Sequence, residues 1–130
     1  MVSMKNAIVA VQMLIRLTGL IQLILGVFFW MGIAANLVQV HTAVGGLFVL
    51  LLWIMAILAI RSGTNKGLAI SMIVWGAVVL GLGMTQVDLL PGSSHWVIEA
   101  LHLLVGVAAI GQAEALGARL KRAGAAKKPA

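Results

Sequence analysis

The chain contains no cysteine among its 130 residues, and only three residues are acidic. Without cysteine the chain forms no disulfide, offers no thiolate nucleophile and holds no iron–sulfur cluster. Three carboxylates are too few for the oxygen cage of a cation site, and no two histidines have the i, i+4 spacing of a helical zinc site. No glycine pair is followed by the Lys-Ser/Thr step that binds phosphate. These absences argue against a stand-alone enzyme.

Charge is scarce as well. Charged residues make up 9% of the chain, hydrophobic residues make up 62%, and the mean hydropathy is +1.13. Soluble domains do not have this composition, so we predict an integral membrane protein. A helix needs about 20 mostly apolar residues to cross the hydrocarbon of a bilayer. The sequence offers four such runs, at residues 8–34, 37–60, 68–87 and 96–116.

The predicted fold is all-α, with one four-helix bundle formed by residues 1–118 and a basic tail at residues 119–130. All nine Lys and Arg residues fall in segments that an even number of spans places on one side of the membrane. By the positive-inside rule, both termini are then cytoplasmic. This topology accounts for the net charge of +6, so the lipid bilayer is the expected partner and nucleic acid is not. We expect a multi-pass protein of a bacterial-type inner membrane.

Two of the three histidines stand in a repeated pattern. In "HTAVG", from His41 to Gly45, and in "HLLVG", from His102 to Gly106, valine and glycine follow the histidine at the same two steps. The pattern predicts an internal repeat in which helices 1 and 2 correspond to helices 3 and 4. The two helical hairpins are then pseudo-symmetric about an axis along the membrane normal. This symmetry places His41 and His102 at similar depth near the outer face.

Two neutral imidazoles that face each other inside a helix bundle are suited to the axial ligation of an iron porphyrin. Haem is flat and largely apolar, and its iron accepts one nitrogen on each side. Gly45 and Gly106 lie one turn beyond the histidines on the same helical faces, where a missing side chain leaves room for the edge of the macrocycle. We predict that His41 and His102 bind haem b between helices 2 and 4.

On these residues the sequence resembles the four-helix b-type cytochrome subunits of respiratory membrane enzymes. The resemblance covers the spans and rests on His41 with Gly45, on His102 with Gly106, and on the position of both histidines near one membrane face. It implies that the histidines are haem ligands, that the glycines admit the ring, and that electrons pass to or from a quinone or a partner redox subunit. Such cytochromes often carry a second histidine pair near the other face, which this chain lacks. Electron transfer across the full bilayer is therefore not expected.

Two further polar residues share the face of helix 4 that carries His102. His95 lies near the outer headgroups, where haem propionates, a quinone or water are its candidate contacts. Glu99 has three candidate roles: accepting a hydrogen bond from an imidazole N–H, taking a proton from a bound quinol, or linking helix 4 to a neighbouring helix. Nearer the inner face, Arg16 and Glu114 fall at comparable depths and are expected either to pair or to extend towards the headgroups.

The same residues leave other functions open. A histidine in a spanning helix can hydrogen-bond to a neighbouring helix, and glycine can simply permit close packing, which would make the chain a cofactor-free scaffold or assembly subunit. A small transporter and a pigment-binding subunit are further alternatives. Trp30 is expected in the aromatic belt at the outer boundary. The expected assembly is a homo-oligomer or a complex with a partner redox subunit.

Overall fold

The computed structural model describes residues 3–126. This part of the chain forms four α-helices, each long and apolar enough to cross a membrane, and no β-strand. The helices are α1 (Met4–Trp30), α2 (Val38–Ser62), α3 (Lys66–Thr85) and α4 (His95–Ala126). Short 3-10 turns at Ala35–Leu37 and Gln86–Asp88 lie in the α1–α2 and α3–α4 connections. The all-α, four-helix architecture predicted from the apolar runs is therefore confirmed.

The four helices form a closed ring. Each helix packs against its neighbours in the chain, α1 packs against α4, and α2 also contacts α4 across the centre. The interior is apolar, and its largest fully buried side chains are Ile15, Val49, Leu52, Met55, Met72 and Leu116. We call the end of the bundle with the α1–α2 and α3–α4 connections the connection end. The opposite end, with the start of α1 and the α2–α3 connection, is the terminal end.

Each of the four interfaces around the ring carries a hydrogen bond from a polar side chain. The Gln22 amide nitrogen joins α1 to α2 by donating to a backbone carbonyl. The indole N–H groups of Trp53 and Trp75 donate to carbonyls of α3 and α4 at 3.1 and 2.9 Å. Arg16 and Glu114 close the α1–α4 interface, with Arg16 Nε and Nη2 both 2.7 Å from a carboxylate oxygen. Of the two outcomes expected for Arg16 and Glu114, the structure thus contains the pairing.

Helix α1 begins four residues before the predicted start at position 8 and ends four residues before the predicted end at position 34. It begins early because the Ser3 hydroxyl accepts a hydrogen bond from the backbone N–H of Asn6 at 3.2 Å and caps the first turn. It ends early because Gly32 and Ala34 both adopt the left-handed conformation, with φ of 73° and 63°. The apolar sequence continues to residue 34, so hydrophobicity alone does not mark this helix end.

Helix α4 differs most from its prediction, because it runs ten residues beyond position 116. The segment predicted as a basic tail, 119–130, is therefore helical as far as Ala126. The segment is rich in alanine, arginine and lysine, which are strong helix formers, and its Leu120 is buried against the other helices. Lys127 and Lys128, which belong to the same predicted tail, lie outside the described residues.

Helices α2 and α3 begin and end within two residues of the predicted bounds. Gly63, in the left-handed region with φ of 72°, ends α2. The side chain of Asn65 then accepts a hydrogen bond from the backbone N–H of Leu68 at 3.1 Å and caps α3. This tight connection keeps α2 and α3 antiparallel, so that the start of α2 and the end of α3 both lie at the connection end.

Candidate functional site

His41 and His102 lie next to each other inside the connection end of the bundle. His41 is in the first turn of α2, and His102 is two turns into α4, the helix that α2 meets across the centre. Their ring centroids are 6.4 Å apart and the ring planes are inclined by 57°. The His41 ring also contacts the ring of Phe29 in an edge-to-face arrangement, with the two centroids 5.2 Å apart. The two histidines of the repeated pattern are thus brought together.

Both imidazoles have a buried nitrogen that lacks a partner. Within the described residues, the Nδ1 atoms of His41 and His102 have no hydrogen-bond partner, and the same is true of Gln22 Oε1. Buried polar atoms are nearly always paired, because leaving one unpaired costs about 1–3 kcal/mol. Three such atoms around one centre are typical of a site that receives a ligand or water.

A cavity of about 170 Å³ lies beside the two rings. Its wall is mostly apolar and includes six glycines, Gly19, Gly26, Gly45, Gly46, Gly83 and Gly106. At Gly26, Gly46 and Gly106 a Cβ atom would meet nothing within 4 Å, so the cavity is open beside these positions. The enclosed part has about the volume that holds a benzene-sized molecule. A larger ligand would extend through the open sides.

Gly45 also borders the cavity, but the Gln22 side chain occupies the space beside it. A Cβ atom at this position would lie 2.5 Å from Gln22 Nε2, which donates a 2.7 Å hydrogen bond to the backbone carbonyl of His41. The carbonyl of His41 lies beside residue 45 because the two are four residues apart on one helix. Glycine at position 45 therefore lets the Gln22 amide reach that carbonyl. Gly106 does border the cavity, as expected for a residue that leaves room beside its histidine.

This role of Gly45 gives a test with a matched control. We expect Gly45→Ala to lower the unfolding temperature, because the methyl group displaces Gln22 and leaves a buried amide unpaired, at about 1–2 kcal/mol. The control is Gly46→Ala, where the new methyl group meets nothing within 4 Å. Alanine is the better helix former by about 1 kcal/mol, so this variant should be as stable as the parent or more stable. Equal destabilisation at both positions would contradict the proposed packing.

Glu99 links two helices at the mouth of the cavity. Its Oε2 atom accepts a 2.6 Å hydrogen bond from the indole N–H of Trp30, the last residue of α1. No bond joins Glu99 to His102, whose Nδ1 has no partner among the described residues. Of the three candidate roles, the structure therefore contains the link to a neighbouring helix and not the bond to an imidazole. Trp30, expected only in an aromatic belt, is the partner.

His95, the third candidate histidine, lies outside the cavity wall. Its Nδ1 is 3.1 Å from the backbone carbonyl of Leu89, and its Nε2 is 4.0 Å from Glu99 Oε1. These contacts tie the first turn of α4 to the preceding connection. His95 is therefore separated from the histidine pair and is a natural reference position for variants of that pair.

The arrangement can hold a metal only if another group supplies most of its ligands. Among residues 3–126, no three His, Cys, Asp or Glu side chains are grouped as a metal site. The two imidazoles, with ring centroids 6.4 Å apart, could supply two nitrogen ligands, and a porphyrin would supply the other four.

Gln22 and Gly83 are among the residues at the site that were not predicted as part of it. Gln22 is an amide within a long apolar run, and such a residue in itself signals an interhelical hydrogen bond. At Gly83 of α3, a Cβ atom would lie 3.2 Å from Cε1 of His102, so glycine lets α3 approach the imidazole. Gly83 lies outside the repeated histidine pattern, and no local signal relates it to His102.

Comparison of the chain with known protein families, with curated proteins and with solved structures finds no match. The description of the site therefore depends on its own residues.

Proposed function

We propose that this chain is a membrane-embedded haem b protein that transfers electrons near one face of the bilayer. The carrying observation is the pair of adjacent imidazoles, His41 and His102, at a centroid distance of 6.4 Å. The unpaired Nδ1 atoms and the glycine-lined cavity support the same conclusion. The likeness to four-helix b-type cytochromes, noted on the histidine and glycine pattern, is consistent with it.

The proposed membrane insertion is supported by the four helices and by the distribution of charge. Each helix is long and apolar enough to span a bilayer. Basic side chains are confined to α1 before its midpoint, to the α2–α3 connection and its flanks, and to the last turns of α4, at Lys5, Arg16, Arg61, Lys66, Arg119, Lys121 and Arg122. The terminal end is then the cytoplasmic side of a bacterial-type inner membrane, and the connection end with its histidines is the outer side.

In the proposed complex, His41 and His102 would supply the protein ligands of the iron. The bound haem supplies one-electron chemistry, which none of the side chains at the site can provide. Phe29 packs edge-on against the His41 ring and restricts its rotation. Gln22 fixes the first turn of α2 through the His41 carbonyl, and the open sides at Gly46 and Gly106 provide the space beyond the enclosed 170 Å³.

The partner in electron transfer is proposed to approach from the connection end. The cavity reaches the residues Trp30, Gln86 and Glu99 there, so an electron donor or acceptor at this end comes close to the histidine pair. A quinone in the outer leaflet and a partner redox subunit on the outer face both satisfy this geometry. Glu99 and His95 are the titratable side chains at this mouth and would receive the protons of a quinol.

The proposal is tested by the absorption spectrum of the protein purified from alkali-washed membranes of haem-replete cells. We expect a Soret band, a reduced α-band of b-type haem and one haem per chain. Apoprotein titrated with haemin should reach the same spectrum and stoichiometry. A colourless protein that stays colourless on titration would show that the site does not bind haem.

One observation favours a second candidate, a cofactor-free scaffold or assembly subunit. The Gln22 amide already fills the space beside Gly45, and the enclosed cavity is small for a macrocycle. In this alternative, the histidines only pack α2 against α4. It predicts that alanine at either position leaves the folded protein and its partners unchanged, whereas the haem proposal predicts loss of pigment.

A further inference from the structure

The Arg16–Glu114 pair lies on the outside of the bundle, between α1 and α4. The Arg16 side chain is 50% exposed and the Glu114 side chain is 36% exposed. Gln12 Nε2 donates a further hydrogen bond to Glu114 Oε2 at 2.9 Å from the buried side. The interior face of the ion pair is therefore satisfied, while on the outer side Arg16 Nη1 contacts only the weak acceptor Met13 Sδ, at 3.7 Å.

The depth of this pair makes its exposure unusual. Fourteen residues of α1 separate Arg16 from Trp30 at the connection end, which is about 21 Å along a helix. If Trp30 marks one boundary of a hydrocarbon layer about 30 Å thick, the pair lies about 10 Å inside the other boundary. This step depends on the membrane insertion proposed above and is independent of haem binding.

Charged groups exposed to lipid chains are costly, and spanning helices direct them to interiors, cavities or partners. Arginine usually escapes by extending its side chain to the headgroups. Here both Nε and Nη2 of Arg16 are held by Glu114 at 2.7 Å, so the guanidinium is fixed at its depth. A polar surface of another molecule is the remaining way to remove this ion pair from lipid.

We propose that the α1–α4 face binds a second copy of this chain. The patch carries one positive and one negative group side by side, so it is complementary to itself under a twofold axis along the membrane normal. Such an axis brings Arg16 against Glu114 of the second copy at the same depth, and the reverse contact forms as well. Gly111 and Ala115 are exposed beside Glu114 on α4, and their small size allows two helices to approach closely.

The absence of native cysteine allows a direct cross-linking test in intact membranes. Leu20 lies one turn from Arg16 on α1 and is 56% exposed, whereas Val74 is 57% exposed on α3, the helix diagonal to α1. We expect Leu20→Cys to give a covalent dimer with a short bis-maleimide, and Val74→Cys to remain monomeric. In the Leu20→Cys background, the neutral pair Arg16→Met and Glu114→Met should lower the dimer fraction about tenfold, the effect of one interhelical polar contact.

The outcomes separate this inference from the proposed function. Protein that resists extraction from membranes at alkaline pH but gives no dimer at Leu20, or gives equal dimer at Val74, overturns the interface and leaves membrane insertion intact. Persistence of the dimer in the neutral double variant, with thermal unfolding retained, also overturns it, because the ion pair then does not hold the copies together. Release of the protein by alkali would overturn membrane insertion itself.

Discussion

Alanine in place of His102 is expected to abolish stable haem binding, and alanine in place of His41 is expected to do the same. Each substitution removes one of the two imidazoles whose centroids lie 6.4 Å apart. The chain has no third histidine in the cavity wall to replace the lost ligand. Loss of a group that merely orients a metal ligand weakens binding about 10–100-fold, so loss of the ligand itself should exceed about 100-fold. Haemin titration followed at the Soret band measures the change.

The control for these variants is His95→Ala, which removes the remaining histidine. His95 contacts Leu89 and lies 4.0 Å from Glu99, outside the cavity wall. Its substitution should leave the haem spectrum and stoichiometry unchanged. The glycine variants His41→Gly and His102→Gly should recover a six-coordinate spectrum when free imidazole is added, because imidazole replaces the missing side chain. Unchanged haem spectra in both alanine variants would show that His41 and His102 are not the ligands of the haem.

The number of helices could be read from the sequence because each apolar run is separated from the next by turn-forming residues. The ends of the helices were predicted less accurately than their number, because an apolar sequence and a helical backbone do not always end at the same residue. At the end of α1 the apolar sequence continues, but the left-handed backbone at Gly32 and Ala34 stops the helix. At the end of α4 the sequence becomes basic, yet alanine, arginine and lysine continue the helix to Ala126.

The proximity of His41 and His102 could be predicted because two copies of one local pattern occur in α2 and α4, which contact each other across the centre. The partners of nearby polar groups were not predictable in the same way. Glu99 lies one turn from His102 on α4, but its carboxylate is bonded to Trp30 of α1. Which of two possible partners a side chain contacts depends on the rotation of α4 against α1. The sequence spacing within α4 carries no information on that rotation.

Gln22 and Gly45 are a second case in which sequence spacing does not identify the contact that a residue makes. A glycine four residues after a histidine has the same sequence signature whether it admits a ligand or a neighbouring side chain. In this bundle it admits the Gln22 amide, which binds the carbonyl of His41 rather than a ring. Only the contact between α1 and α2 distinguishes the two roles, and Gly106, in the matching position of α4, does face open space.

Removing the charge of Arg16 alone should destabilise the protein more than removing the whole ion pair. Arg16→Met removes the two nitrogens, Nε and Nη2, that lie 2.7 Å from the Glu114 carboxylate. The carboxylate is then left unpaired on an apolar surface, where a charge is costly. The double variant Arg16→Met and Glu114→Met has no charge left to solvate and keeps side chains of similar length. We expect the single variant to lower the thermal unfolding midpoint in lipid nanodiscs by on the order of 10 °C.

The comparison between the two variants also reports on the surroundings of the pair. Exposed ion pairs in water contribute so little that their loss shifts an unfolding midpoint by no more than about 3 °C, and the single variant is then no worse than the double. In lipid, the single variant should have the lower unfolding midpoint of the two, because its unpaired carboxylate has no water to solvate it. Arg122→Met, which removes a charge from an exposed position near the end of α4, is the reference for loss of charge alone and should leave the midpoint unchanged. A midpoint of Arg16→Met equal to that of the Arg122 variant would show that Glu114 is hydrated and that this face of α1 and α4 lies neither against lipid nor in a dry interface between two copies.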